Sequence, residues 1–298
     1  ALPHHLTQTN FEMDWAGMNP KYVRTACVFS VHGACLLQPD HKENHLGMVH
    51  VHHDPTPGSS AADALRMGFN FSLVANSDTH DGHPGHAICH KATHYPDQYP
   101  VLSWTPRYGH PYPGGITGAW VSDFDREGVM DAIRKGRVFG TRSPFRPLVD
   151  FSINGTRVGV NSSTLNVPTK TSARKINFQL FRDGLELGWQ GDADIKEWDE
   201  LTVEIWKNSE LWNTTTTKDH LININYYDSE EINGTAYEDY DKRDGKYYMH
   251  ERSILEVENP DKLNTGGRDY YFVRCFEGEG SKSEFYLWIG PIWVNPLT

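Results

Sequence analysis

At 298 residues, with 38% apolar and 22% charged side chains, the chain is long for one core and comfortable for two domains. No apolar run approaches the roughly 18 residues that a membrane helix requires, so no membrane span is expected. The formal charge of −11 at pH 7 argues against nucleic acid as a partner, because phosphate backbones need basic patches, and suits cations better.

In chain order, the first half reads as βα units. Ser59 or Ser60 caps a short helix over 61–66 that Gly68 ends, after which Phe69, Phe71, Leu73 and Ala75 alternate as one face of a strand. A tight turn follows at 76–85, at the C-terminal end of that strand, where barrel enzymes place their chemistry. Asp125 caps a second helix that buries Val129, Met130 and Ile133 and stops at Gly136. Residues 137–141 make one more strand, and Pro144 and Pro147 punctuate a linker.

Beyond Pro147 the texture is purely β. Segments 150–153 and 156–160 flank Asn154-Gly155, a two-residue hairpin signal. Short strands at 176–182, 200–207, 220–227, 253–257, 270–276 and 285–294 follow, in the pattern of an antiparallel sandwich. The expected fold class is therefore α/β plus all-β, with an α/β domain at 1–146 and a β-sandwich domain at 147–298. The run Asp239-Tyr240-Asp241-Lys242-Arg243-Asp244-Gly245 departs from calcium-loop spacing and reads as an acidic hairpin turn. Trp189, Trp198, Trp206 and Trp212 read as sandwich core in preference to a sugar-stacking surface.

Chemistry concentrates in the first half, where 14 of the 16 histidines lie between His4 and His110. The turn Asn76-Ser77-Asp78-Thr79-His80-Asp81-Gly82-His83-Pro84-Gly85 places a hard anionic oxygen and a borderline nitrogen two positions apart, a spacing that suits one divalent ion. The bland alternative is a polar loop whose histidines cap backbone groups. His50-Val51-His52-His53-Asp54 is a second dense cluster, in which an extended backbone would put His50 and His52 on one face.

Taken together, Val31-His32-Gly33, the run from Ser59 through Phe69, the turn 76–85, Gly114-Gly115-Ile116-Thr117-Gly118-Ala119-Trp120 and the stretch 125–141 resemble the C-terminal part of a polymerase and histidinol phosphatase (PHP) superfamily domain. The similarity covers roughly 25–160 and, more loosely, 269–274 through 290–294. It implies a distorted, here partial, (β/α) barrel whose divalent ions, commonly zinc, manganese or iron, activate water to hydrolyse phosphoesters. Asp78 and His80 match the family's late Asp-x-His pair of metal ligands. The family's opening His-x-His motif and its intervening Glu and His ligands have no match. An upstream half on another polypeptide, replacement by His50, His52 and His53, or a domain that no longer hydrolyses anything would each account for the departure. The resulting candidates are Asp78, His80 and His83 for catalysis, and Asp78, His80, His50, His52 and His32 for metal, with Arg142 as an anion contact. The partner is then a small phosphorylated substrate.

Ala1 is neither an initiator Met nor part of a signal-like leader and is read as a processed terminus or an artificial boundary. Sequons occur at Asn70, Asn154, Asn161, Asn213 and Asn233. Asn70 is discounted as part of a buried strand, and the other four are glycosylation candidates. Cys27, Cys35, Cys89 and Cys275 permit two disulfides in three connectivities, or four reduced core residues. These features favour an extracellular protein. The rival to a hydrolase is a non-enzymatic secreted glycoprotein that reuses the fold as a filament or surface-layer subunit, a homo-oligomer built through heterologous contacts.

Overall fold

Local capping sets both α-helices found among the described residues of the computed structural model, which are 1–8, 11–30, 32–46, 56–78, 114–143, 146–182, 199–278 and 285–298, with 185–187 and 193–195 for the backbone alone. Helix Ala61–Arg66 starts at Ser60, whose Oγ accepts from Asp63 N at 3.2 Å while the Asp63 carboxylate accepts from Ser60 N, also at 3.2 Å. This reciprocal box satisfies two N–H groups that a helix start leaves over. Helix Arg126–Lys135 starts at Asp125, which accepts from Gly128 N at 2.7 Å, and ends at left-handed Gly136. Its inward stripe is Val129, Ala132 and Ile133. Met130, expected inside, is 37% exposed, because it lies about 100° round the helix from Val129.

Strand Ser72–Ala75 runs parallel to Thr25–Ser30, with Gly33–Ala34 antiparallel on the far side. It is shorter than the expected 69–75 and buried at every residue, with no alternation, because it is sandwiched between its own sheet and the larger one. Asn70 precedes it, half-buried, and donates from Nδ2 to Ser162 O at 3.2 Å.

The seven-stranded sheet runs in the order Glu210–Thr217, Leu201–Lys207, Asp269–Glu277, Tyr286–Pro296, Val138–Thr141, Ile116–Ala119, with Thr164–Val167 parallel to the far end of Tyr286–Pro296. Both of its faces are covered, so Asp269–Glu277 is buried throughout, as a central strand with no solvent face must be. On one face Trp206, Phe272, Tyr286 and Trp288 pack with Trp15, Phe29 and Phe71. On the other, Val203, Val273 and Leu287 pack with Phe151, Ile176, Phe178 and Ile222. These last four belong to a four-stranded antiparallel sheet of Leu221–Asp228, Arg174–Phe181, Leu148–Ile153 and Thr156–Arg157.

The chain is thus mostly β-sheet. Leu287 pairs with Thr141 and Ile289 with Phe139, so one sheet runs across the boundary expected at 146/147. Among the described residues no closed barrel forms; parallel pairing is confined to Ser72–Ala75 with Thr25–Ser30 and Thr164–Val167 with Tyr286–Pro296. Nor is any helix among them long and apolar enough to cross a membrane.

Asn154 and Gly155, both left-handed at φ +47° and +79°, make the expected hairpin turn, and Asp244-Gly245 makes another between Asp241–Arg243 and Lys246–Tyr248. Residues 253–257 form no strand, only a bridge from Tyr248 to Glu256. Trp206 is fully buried and Trp212 half-buried, whereas the side chains of Trp189 and Trp198 lie outside the described residues. Cys27, Cys35 and Cys275 are buried free thiols, and Cys89 lies outside the described residues. Of the sequons, Asn154, Asn161 and Asn233 are exposed and Asn213 is half-buried in its strand.

Candidate metal centre

Three segments converge beyond the C-terminal end of the parallel pair. Strand Ser72–Ala75 leads to Asn76, whose N–H donates to Phe29 O at 3.0 Å and whose carbonyl accepts from Gly115 N at 2.8 Å. Two residues on, Asp78 takes a left-handed backbone at φ +53°. Strand Thr25–Ser30 leads to His32, whose N–H donates to Ser30 Oγ at 3.2 Å before Gly33, at φ +115°, reverses the chain. The N-terminal segment is tied alongside by Cys27 N donating to Pro3 O and Met13 N to Leu6 O, each at 2.9 Å, and by the buried Leu6 side chain. His4 and His5 are thereby held at the same end.

His5 Nε2 contacts Asp78 Oδ2, and His32 Nε2 stands 3.4 Å from the same oxygen. The His5 ring centroid is 4.3 Å from that of His4 and 4.7 Å from that of His32. One ligand atom each from His4, His5 and Asp78 lie within 4.8 Å of one another. Donors about 2.1 Å from a tetrahedral zinc sit roughly 3.4 Å apart, which is the separation of His32 Nε2 from Asp78 Oδ2. The His5 and Asp78 side chains are only 11% and 9% exposed, so water screens the carboxylate charge poorly. Beside them Asn76 Oδ1 is buried and accepts no hydrogen bond from any described residue. Imidazoles with a carboxylate suit zinc, manganese or iron. Burial, with the Asp78 charge adding to it, pushes the Cys27 thiol up to about 12, and its Sγ donates to Phe29 O at 3.1 Å.

Of the residues singled out by sequence, Asp78 and His32 come together, whereas His50, His52, His80 and His83 lie outside the described residues. Arg142 is buried with its guanidinium 5.8 Å from the ring centre of Phe29, on the strand that leads to His32. His4 and His5 are not among the residues that the sequence singles out. Consecutive side chains of an extended segment point to opposite sides, so an adjacent pair reads poorly as two ligands. Here His5 has φ +56°, and that left-handed turn accompanies the two imidazoles drawing together. The available signal was an adjacent pair at the edge of the histidine-rich stretch. No family model, curated protein or solved structure matches this chain.

Proposed function

We propose that the chain is a metal-dependent hydrolase of the PHP type, acting on phosphoesters, with His4, His5, His32 and Asp78 holding a zinc, manganese or iron ion. The observation that carries this reading is the meeting of His5 and His32 on one oxygen of Asp78, from segments distant in sequence, at the end of a parallel strand pair. A bound ion would supply Lewis acidity and an activated water at neutral pH. Asp78 contributes the negative charge that binds the cation and fixes the His5 ring by direct contact. His80 and His83 follow Asp78 in sequence and are assigned to ligation or proton transfer, and Arg142 to the phosphate anion. The partial barrel followed by an antiparallel sandwich belongs to this proposal, and so does an extracellular location, which the exposed sequons at Asn154, Asn161 and Asn233 support.

The test is metal analysis of the purified chain together with hydrolysis of p-nitrophenyl phosphate. The wild type is expected to carry metal and to turn over, and Asp78→Ala to lose both. Full activity in Asp78→Ala, or a wild type that retains no metal after supply of all three ions, would remove the reading.

A second reading, an assembly subunit of a filament or surface layer, is favoured by one feature of the four-stranded sheet. Leu148, Phe181 and Leu221 stand in cross-strand register and are 69%, 42% and 71% exposed. Such a row is apolar surface that association would cover. Sedimentation at rising concentration decides it, and a monomer throughout would exclude it.

A further inference from the structure

A groove of about 410 Å³ opens among segment 236–240, strand Lys246–Tyr248 and the turn Pro260–Lys262, a size within the range of small-molecule sites. Its walls include three tyrosine rings. Tyr237 and Tyr240 stand 5.5 Å apart at 89°, and Tyr240 and Tyr247 6.1 Å apart at 77°, so successive rings form the sides of a box. The carboxylates of Glu238 and Asp261 border the same groove, and neither forms an ion pair among the described residues.

The hydroxyls contribute little to recognition. That of Tyr240 donates to Pro260 O at 2.9 Å, which also fixes its ring, and that of Tyr237 is buried against Gly58. Tyr237, 3% exposed, backs the groove, while the ring faces of Tyr240 and Tyr247 and negative charge remain, a combination that selects a cation with an apolar skin. Basic side chains already sit over two of the rings, Lys242 at 5.1 Å from Tyr247 and Arg66 at 5.8 Å from Tyr237. Burial, then Asp261 and Glu238, push the Tyr240 phenol up to about 12, so it stays neutral while the acids' field reaches its ring.

We infer that this groove binds a quaternary ammonium group, through cation–π contact with Tyr240 and Tyr247, with Tyr237 behind them, and charge attraction by Glu238 and Asp261. The inference does not rest on the hydrolase reading.

The test is calorimetric titration of the full chain with choline and with its neutral isostere 3,3-dimethylbutan-1-ol. Choline is expected to bind saturably and about tenfold tighter than the isostere. Tyr247→Leu, and separately the pair Glu238→Gln with Asp261→Asn, should each weaken choline by about tenfold while melting as the wild type does. Asp78→Asn should bind choline unchanged. Equal binding of the two ligands, no saturation, or indifference of choline binding to both sets of substitutions in folded protein overturns the inference.

Discussion

His5 and Asp78 meet side chain to side chain across 73 residues of sequence, and both have left-handed backbones, at φ +56° and +53°. Each such conformation costs an L-residue about 1 kcal/mol or more, so surrounding contacts must hold it in place. His5→Gly removes the imidazole and the backbone penalty together. The metal-free variant is expected to melt no lower than wild type, while affinity for the ion falls roughly hundredfold. Melting with and without added metal separates the two effects. A variant that gains as much from metal as wild type would show that His5 is not a ligand.

Glycine is required at Gly68 for a reason absent at Gly155. A Cβ at Gly68 (φ +89°) would lie 2.2 Å from the backbone oxygen of Asn264, whereas one at Gly155 (φ +79°) would have nothing within 4 Å. Gly155→Ala should cost only the left-handed term, about 1 kcal/mol. Gly68→Ala adds a backbone clash and should cost about 3 kcal/mol in urea unfolding. Equal losses would mean that the close approach of helix Ala61–Arg66 to Asn264 relaxes freely.

Local residues decide some elements of this fold and distant partners decide others. Caps at Ser60 and Asp125, the stop at Gly136 and the turn at Asn154-Gly155 were legible because each is decided within a few residues. Strand limits were less so, because partners decide them. Residues 253–257 have strand-like composition, yet Ile254 is 91% exposed and only Glu256 finds a bridge. The sheet spanning residue 147 depends on Val138–Thr141 meeting Tyr286–Pro296, a pairing that no local periodicity encodes. Within the candidate site, Asp78 and His32 could be picked out by residue type and context. His4 and His5 could not, since their convergence follows from one backbone angle and from Cys27 anchoring Pro3.

His250 gives the fold a dependence on mildly acidic pH. It is 5% exposed; Nδ1 accepts from Arg252 N at 3.2 Å, and Nε2 is buried with no hydrogen-bond partner among the described residues. Burial holds its pKa below the ordinary value, against the pull of Asp14 and Glu12. The unfolded chain therefore binds the proton first. The stabilisation is complete above the unfolded value of about 6.5 and is lost as pH falls through the folded one. His250→Asn keeps an acceptor for the Arg252 N–H and cannot titrate. Its melting temperature should fall less than that of wild type between about pH 7 and pH 5, with a residual slope to which His45 contributes, its pKa likewise lowered by burial. Identical slopes would rule out His250 as a contributor.

Asp228 and Arg174 form an ion pair at 2.9 Å with both side chains fully buried between the two large sheets. Lys207 also reaches Asp228 at 2.9 Å, Tyr271 donates its hydroxyl at 2.6 Å, and Glu230 donates its N–H at 2.8 Å. Burial alone pushes the Asp228 carboxyl up, but the Tyr271 hydroxyl, Lys207, the Glu230 N–H and Arg174 together hold it below the usual carboxylate range. Its contribution is thus complete above the unfolded pKa, about 3.9, and is lost as pH falls from there through the folded value. Asp228→Leu leaves a buried guanidinium without its counter-charge and should cost about 4 kcal/mol. Arg174→Met leaves the carboxylate with Lys207 and Tyr271 and should cost less. The double variant should lose much less than the sum of the two single losses, because apolar groups of similar volume need no pairing. Urea unfolding of all four proteins measures the coupling. Strict additivity would mean that water or relaxation already compensates each charge, and the pair would then have no part in holding Leu221–Asp228 in register with Arg174–Phe181.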